Sequence, residues 1–185
     1  MDRDDAIRKL VQVFRTYGYE GATLSRIAEA TTLGRASLYH HFPGGKKEMA
    51  EAVSAYVNTQ LEATILQPLR SQGEPSDRLQ AMIAAFSEFY DHGRNACLLP
   101  IFSMTYSDDL FQGQVQQAFQ HWIGSVQAVL QEAGFTPIEA EQRAQEAVVQ
   151  IQGALVVARG LQQTEPFERV LAQLPERLLA PKLVA

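Results

Sequence analysis

The stretch from Thr23 to Phe42, TLSRIAEATTLGRASLYHHF, decides how the rest of the chain is read. Within it Ile27, Leu33 and Leu38 are spaced to meet between two helices, and Ala28 is small where those helices must come close. Thr23 is suited to cap the first helix, because its hydroxyl can accept a backbone N–H that the first turn leaves unpaired. That helix is expected to run through Ile27 and Ala28 to Ala30. After TTLG, the run RASLYHHF makes a second short helix, closed by Pro43-Gly44-Gly45. Upstream, Ile7, Leu10, Val11 and Phe14 fall at i, i+3, i+4 and i+7, one apolar stripe of an amphipathic helix that Gly18 and Gly21 stop. The second helix of the pair would turn Arg35, Ser37, Tyr39, His40 and His41 outward. A helix of that kind fits the major groove, where base edges show distinct donor and acceptor patterns. Arg26 and Arg35 can meet phosphates, which set register and much of the affinity.

Bulk charge at first opposes this. The chain of 185 residues has 16 Lys plus Arg against 21 Asp plus Glu, a formal net charge of −5. The charge is uneven, however. Residues 1–50 hold eight bases and six acids, giving +2, and residues 51–185 hold eight bases and fifteen acids, giving −7. A short basic head on an acidic body is the pattern to follow.

The quoted stretch resembles the DNA-binding head of the tetracycline-repressor (TetR) family, whose pattern is approximately T-x-x-x-I-A-x-x-A-G-V-x-x-x-x-L-Y-x-H-F-x-x-K. Thr23, Ile27, Ala28, Leu38, Tyr39, His41, Phe42 and Lys46 match it in order. Two positions depart. Thr32 stands where the family usually has Gly, so it must take an unusual backbone angle or shift the turn. Gly44-Gly45 is one residue longer than the commonest spacing before the Lys. The resemblance implies backbone contacts from Thr23, Ser25, Arg26, Tyr39, His41 and Lys46. It places Gly34, Arg35, Ala36, Ser37 and His40 nearest the bases. It also implies an all-α fold of about nine helices: a three-helix, helix-turn-helix head at residues 1–45 and a helical body at 46–185 that binds an effector and dimerises.

The body reads as helices throughout, and no run alternates with period two for long enough to make a strand. Lys46 to about Leu66 is expected as one helix ended by Pro68, and Ser76 as the cap of the next. An irregular stretch from Gly93 to Pro100 leads to a short apolar segment near 101–106. Asp108-Asp109 would start a long helix through Phe119, Trp122 and Val126. Gly134 sits at its C-terminal turn. Thr136-Pro137-Ile138-Glu139 then combines an N-cap, a Pro at the first helical position and a capping-box Glu. The helix it opens reaches about Gly160, and a last one spans about Pro166 to Leu179.

Aromatic and soft residues gather between 86 and 126, namely Phe86, Phe89, Tyr90, Phe102, Met104, Tyr106, Phe111, Phe119 and Trp122. Phe86, Tyr90, Tyr106 and Trp122 are the candidate effector-pocket residues, set against the plainer reading of a hydrophobic core. Few charges fall there, which points to a small, largely apolar effector. Residues 147–158, AVVQIQGALVVA, carry no charge and are apolar around much of the helix, so more than one face must be covered. With a second stripe in the last helix they give a candidate two-fold dimer face: Val149, Gly153, Val156, Val157, Phe167, Val170, Leu171 and Leu174. The alternative is that 147–158 is simply a central core helix.

Other chemistry finds little support. Cys97 is the only cysteine, which excludes a disulfide framework or a Cys-rich zinc site and suits a reducing cytosol. His40 and His41 point about 100° apart on a helix and do not readily share an ion. GGKK lacks the earlier Gly and the Ser or Thr of a phosphate loop. Neither metal nor cofactor is expected. The N-terminus lacks a signal-peptide pattern. The longest charge-free run, Leu110 to Gln131, holds seven Gln and a His, so no membrane span is expected and the location is cytoplasmic. The reading is a homodimeric repressor, not an enzyme, released from a near-palindromic double-stranded operator by its effector. The competing readings are a helical enzyme using Cys97, His92 or His121, or an adaptor.

Overall fold

The computed structural model describes residues 2–104 and 111–181, and every described element is helical. Nine α-helices follow one another among these residues. They are α1 (Arg3–Gly21), α2 (Leu24–Thr31), α3 (Arg35–His41), α4 (Gly45–Leu61), α5 (Pro75–Phe89), α6 (Leu98–Ser103), α7 (Gln112–Glu132), α8 (Pro137–Leu161) and α9 (Glu165–Leu179). They group into two compact units. One is drawn from Met1–Gln60 and Cys97–Gln117, the other from Leu61–Ala96 and Ala118–Ala185.

In the first unit the apolar stripe of α1 is buried: Ala6, Ile7, Leu10, Val11, Val13 and Phe14 all face inward. The helix breaks at Gly18, whose φ of +67° and ψ of −177° lie in a region closed to other residues, and resumes for one turn to Gly21. Phe14 meets the Phe102 ring of α6 edge-on at 5.8 Å, and Phe102 stacks on Phe111 at 4.8 Å. Two of the aromatic residues grouped by sequence between 86 and 126 therefore belong with α1, in the core of the first unit.

In the pair α2 and α3, Ile27 and Leu38 are buried as expected, Leu33 is only half-buried, and Phe42 completes the core. Thr23 caps α2 by accepting the N–H of Arg26. Thr32 does not shift the turn. It adopts the left-handed conformation, φ 59° and ψ 20°, in the place a glycine would fill. Its hydroxyl donates to the Thr31 carbonyl at 2.6 Å, and the buried Thr31 hydroxyl donates to Ile27 O at 2.7 Å. These short-range bonds hold a β-branched residue in a conformation that ordinarily costs L-residues about 1–2 kcal/mol.

In the second unit the chain after α4 departs from the single helix expected to Leu66. A wide π turn, Glu62–Leu66, is followed by a tight 3-10 turn, Gln67–Arg70. Pro68 explains the change: it has no N–H to donate and its ring crowds the carbonyl one turn earlier, so the helical register must alter before it. Ser76 does not cap α5. The helix starts two residues earlier than that cap implies, at Pro75, with Glu74 at the cap position and no side-chain cap bond. A proline at the first helical position has its φ pre-set and loses no bond there. Asp108 and Asp109 lie outside the described residues. α8 opens with the full capping box between Thr136 and Glu139. Phe167, Leu171, Leu174 and Leu178 of α9 are buried against α5 and α8. Gly93, at φ +96°, lies so close to Phe167 that a Cβ there would sit 3.0 Å from that side chain.

The strain at Thr32 predicts a sign. Thr32→Gly should raise stability by about 0.5–1 kcal/mol, because it removes the left-handed penalty. Thr32→Val, which keeps the branching and loses the hydroxyl, should lower it by a similar amount. Denaturant midpoints measure both, and destabilisation by Gly would contradict the left-handed turn.

Candidate nucleic-acid interface

The surface of the α2–α3 pair is set by what its core excludes. Leu38 is 1% exposed and turns the opposite side of α3 outward. Arg35, Ala36, Ser37, Tyr39 and His40 are exposed, as are Thr23, Ser25, Arg26 and Gly34, while His41 and Lys46 are half-buried. All eleven residues singled out from the sequence thus lie on the first unit, and nine of them are open to solvent. Gly34 precedes α3 at the cap position and offers no side-chain cap bond, so backbone N–H groups at the start of the helix remain available to an acceptor.

The cations of this surface are not equivalent. Arg35 has no hydrogen-bond or ionic partner among the described residues and is free to reach a phosphate or a base edge. Arg26 is engaged at home. Its Nη1 donates to Gly21 O at 2.7 Å and its guanidinium lies over the Tyr17 ring, 4.2 Å from the centroid. Lys46 is held similarly: Nζ donates to Tyr19 O at 3.1 Å, sits 4.4 Å from the Tyr19 ring centroid and is 3.8 Å from Glu20 Oε2. Burial pushes the Tyr19 phenol up, with Glu20 and Glu51 adding to the effect, so the ring beneath Lys46 stays neutral. Thr23, Tyr39, Gly44, Gly45 and Lys46 line one shallow groove with Glu20. Tyr17 and Tyr19, which flank the break at Gly18, were not anticipated as partners of these cations. Their place either side of a glycine is the one signal the sequence offered.

His40 and His41 are 5.6 Å apart between ring centroids and tilted by 67°. Among the described residues no cluster of His, Cys, Asp or Glu is arranged to hold a metal. No described helix is long and apolar enough to cross a membrane.

In the second unit, three of the four pocket candidates come together. Trp122 and Phe86 stack at 4.8 Å, Phe86 and Tyr90 at 5.6 Å, and all three are buried. The Trp122 indole N–H is buried and has no hydrogen-bond partner among the described residues. Tyr106 lies outside the described residues.

The dimer candidates divide. Val149, Val156 and Val157 are 69%, 63% and 48% exposed, and Leu161 on the same helix is 57% exposed. Gly153 has open space around it. The α9 set is different. Phe167, Leu171 and Leu174 are buried inside their own unit and Val170 is half-buried, so the stripe once expected to face a partner is already occupied by α5 and α8. A single amphipathic stripe cannot serve both faces of its helix.

Two family models match the chain: "Bacterial regulatory proteins, tetR family" over residues 7–53, and "Transcriptional regulator LmrA/YxaF-like, C-terminal domain" over residues 75–173. The uncharacterized HTH-type transcriptional regulator YxaF of Bacillus subtilis (strain 168) is 23% identical over 177 residues, covering 94% of this chain and 93% of that protein. A TetR transcriptional regulator from Legionella pneumophila has a similar solved structure, with a TM-score of 0.84, 20% identity and coverage of 96% and 97%. A cysteine mutant of the TetR-family regulator CifR, complexed with 26-bp double-strand operator DNA, has a TM-score of 0.77 at 22% identity, covering 97% of this chain and 96% of that one.

The Arg26 geometry yields a test. Arg26→Ala should cost about 1–2 kcal/mol of stability from the lost carbonyl bond and ring contact. Arg26→Lys should recover only part, because an ammonium cannot both stack flat and reach Gly21 O. Full recovery with Lys in chemical denaturation would dismiss the stacking account.

Proposed function

We propose that this chain, which belongs to the TetR family of bacterial transcriptional regulators, is a homodimeric repressor that a small, largely apolar effector releases from a near-palindromic operator. Family members are DNA-binding regulators rather than enzymes, and the helix-turn-helix at α2–α3 is the element suited to that work. The observation that carries the reading is the outward row on α3. Arg35, Ser37, Tyr39 and His40 are exposed around a buried Leu38. In this reading Gly34, Arg35, Ala36, Ser37 and His40 face the bases, while Thr23, Ser25, Arg26, Tyr39, His41 and Lys46 face the backbone. CifR, which shares the fold and is complexed with operator DNA, supports the same use of it.

Residues 1–45 form the DNA-binding part and 46–185 the effector-binding and dimerisation part of this proposal. The exposed valines of α8 support the dimer, since a run of large apolar side chains left in water marks a surface awaiting a partner. Val149, Gly153, Val156 and Val157 form that face. A two-fold pair sets two recognition helices in successive major grooves, roughly 34–36 Å apart. The stacked Phe86, Tyr90 and Trp122 support the effector site. An unsatisfied buried N–H costs about 1–3 kcal/mol, which an acceptor on the effector would offset. α4 is the covalent route from the head to the body, and linkage requires DNA and effector to weaken each other equally. Such a protein works in the cytoplasm.

Selection of bound duplexes from random DNA tests the reading. Arg35→Ala should abolish preference for the selected duplex, whereas Tyr39→Ala, which removes a backbone contact, should weaken binding to all duplexes alike and leave the preference in place. Retained preference in Arg35→Ala refutes the assignment of α3.

Val156→Glu places a charge at the centre of the exposed α8 face. It should shift the sedimenting species from twice the 20.6 kDa chain mass to the chain mass and weaken operator binding severalfold or more. An unchanged sedimentation profile would remove α8 from the dimer face.

A further inference from the structure

Arg3 lies outside residues 7–53, over which the DNA-binding family model matches. It nonetheless has three engagements in the first unit. Its Nε donates to the carbonyl of His41 at 3.2 Å, and its Nη2 donates to Glu48 Oε1 at 3.3 Å. Its guanidinium carbon lies 5.0 Å above the centroid of the Phe42 ring. Glu48 in turn accepts the Gly44 N–H through Oε2 at 2.8 Å. One side chain at the start of α1 therefore gathers three things: the last carbonyl of α3, the buried ring that follows it, and the first turn of α4.

We propose that Arg3 is a positioning residue for the recognition helix, acting through the His41 carbonyl and Glu48 rather than by touching DNA. α3 has seven residues, under two turns, and its start lacks a side-chain cap. A helix so short does not hold its own direction, so its far end must be fixed by something outside it. The C-terminal carbonyls of a helix are unpaired and carry the negative end of its dipole, which a guanidinium satisfies in both respects. Phe42 is fully buried, so the contact above its ring ties Arg3 to a fixed point of the core. Arg3 itself is half-exposed at 46%, and an ion pair so open to water adds little to stability. Its effect falls on the angle of α3, and through that angle on the fit to a groove. This inference rests on α3 being the recognition helix.

The experiment uses the duplex recovered by selection with the unaltered chain, with affinity measured by fluorescence anisotropy across a salt series. Arg3→Ala should weaken binding about tenfold, which is 1.4 kcal/mol shared by two heads, with the salt slope unchanged. Glu48→Ala gives the sharper sign. Removing an acid from a head that faces phosphate would tighten binding by charge alone; loss of positioning weakens it. The double variant should lose no more than the worse single one. Arg3→Lys, which keeps the charge without the fork, should stay weak. The proposal is overturned by a slope lowered by about one per head in Arg3→Ala, which marks direct phosphate contact. Tighter or unchanged binding in Glu48→Ala, or wild-type affinity in Arg3→Lys, overturns it equally. If Arg35→Ala abolishes binding while Arg3→Ala does not weaken it, only the Arg3 assignment falls. If Arg35→Ala binds normally, the recognition-helix reading falls, and the Arg3 assignment with it.

Discussion

Seven residues of helix do not stay helical in water on their own, because the cost of starting the first turn is recovered only over a longer run of bonds. The first unit is organised around that constraint. Leu38 anchors α3 in the core beside Ile27, and Phe42 is buried immediately after it. Thr23 and the Thr31 hydroxyl hold the two ends of α2, which fixes where the turn delivers the chain. The stripe of α1, backed by Phe102 and Phe111, supplies the apolar mass that two short helices lack. The outward residues of α3 can be polar and varied because none of them is needed to keep the helix formed.

The same constraint divides the head's cations. Arg3, Arg26 and Lys46 each spend donors on a backbone carbonyl and each approach an aromatic ring. Arg35 does neither. A net charge of +2 over residues 1–50 therefore overstates what is immediately available to phosphate and understates what holds the scaffold. The body uses its apolar residues with a comparable division. The inward set on α8, from Ala140 through Leu155 to Ala158, and the α9 stripe make a core, while Val149, Val156 and Val157 remain outside it.

Features carried by local chemistry were legible in the sequence. The capping box at Thr136–Glu139, the turn after Thr23 and the apolar stripe of α1 each depend on residues within a turn or two of one another. The resemblance carried by Ile27, Leu38, Tyr39 and Phe42 was legible for the same reason. What was not legible depended on partners distant in the chain. The contacts of Arg26 with Tyr17 and of Lys46 with Tyr19 could not be read from the sequence, because nothing local places those rings beneath the cations. Phe167, Leu171 and Leu174 were read as an interface because an amphipathic stripe states that a face is buried without saying against what. Phe102 and Phe111 were grouped with Phe86 and Trp122 by nearness in sequence, yet the chain distributes them between two cores.

Thr32 and Gly93 share a left-handed backbone but not a neighbourhood. Thr32 is exposed, and its side chain bonds locally to the chain that precedes it. Gly93 has Phe167 where a Cβ would go. Over evolutionary time the first position is therefore a permissive one, open to Gly, Asn, Asp or Ser, whose short side chains tolerate or support that conformation. The second admits glycine alone unless Phe167 shrinks with it. A pattern search that insists on glycine in the helix-turn-helix turn would pass over this chain, whereas a glycine paired with a large apolar residue some seventy positions later would be the more durable signature of descent.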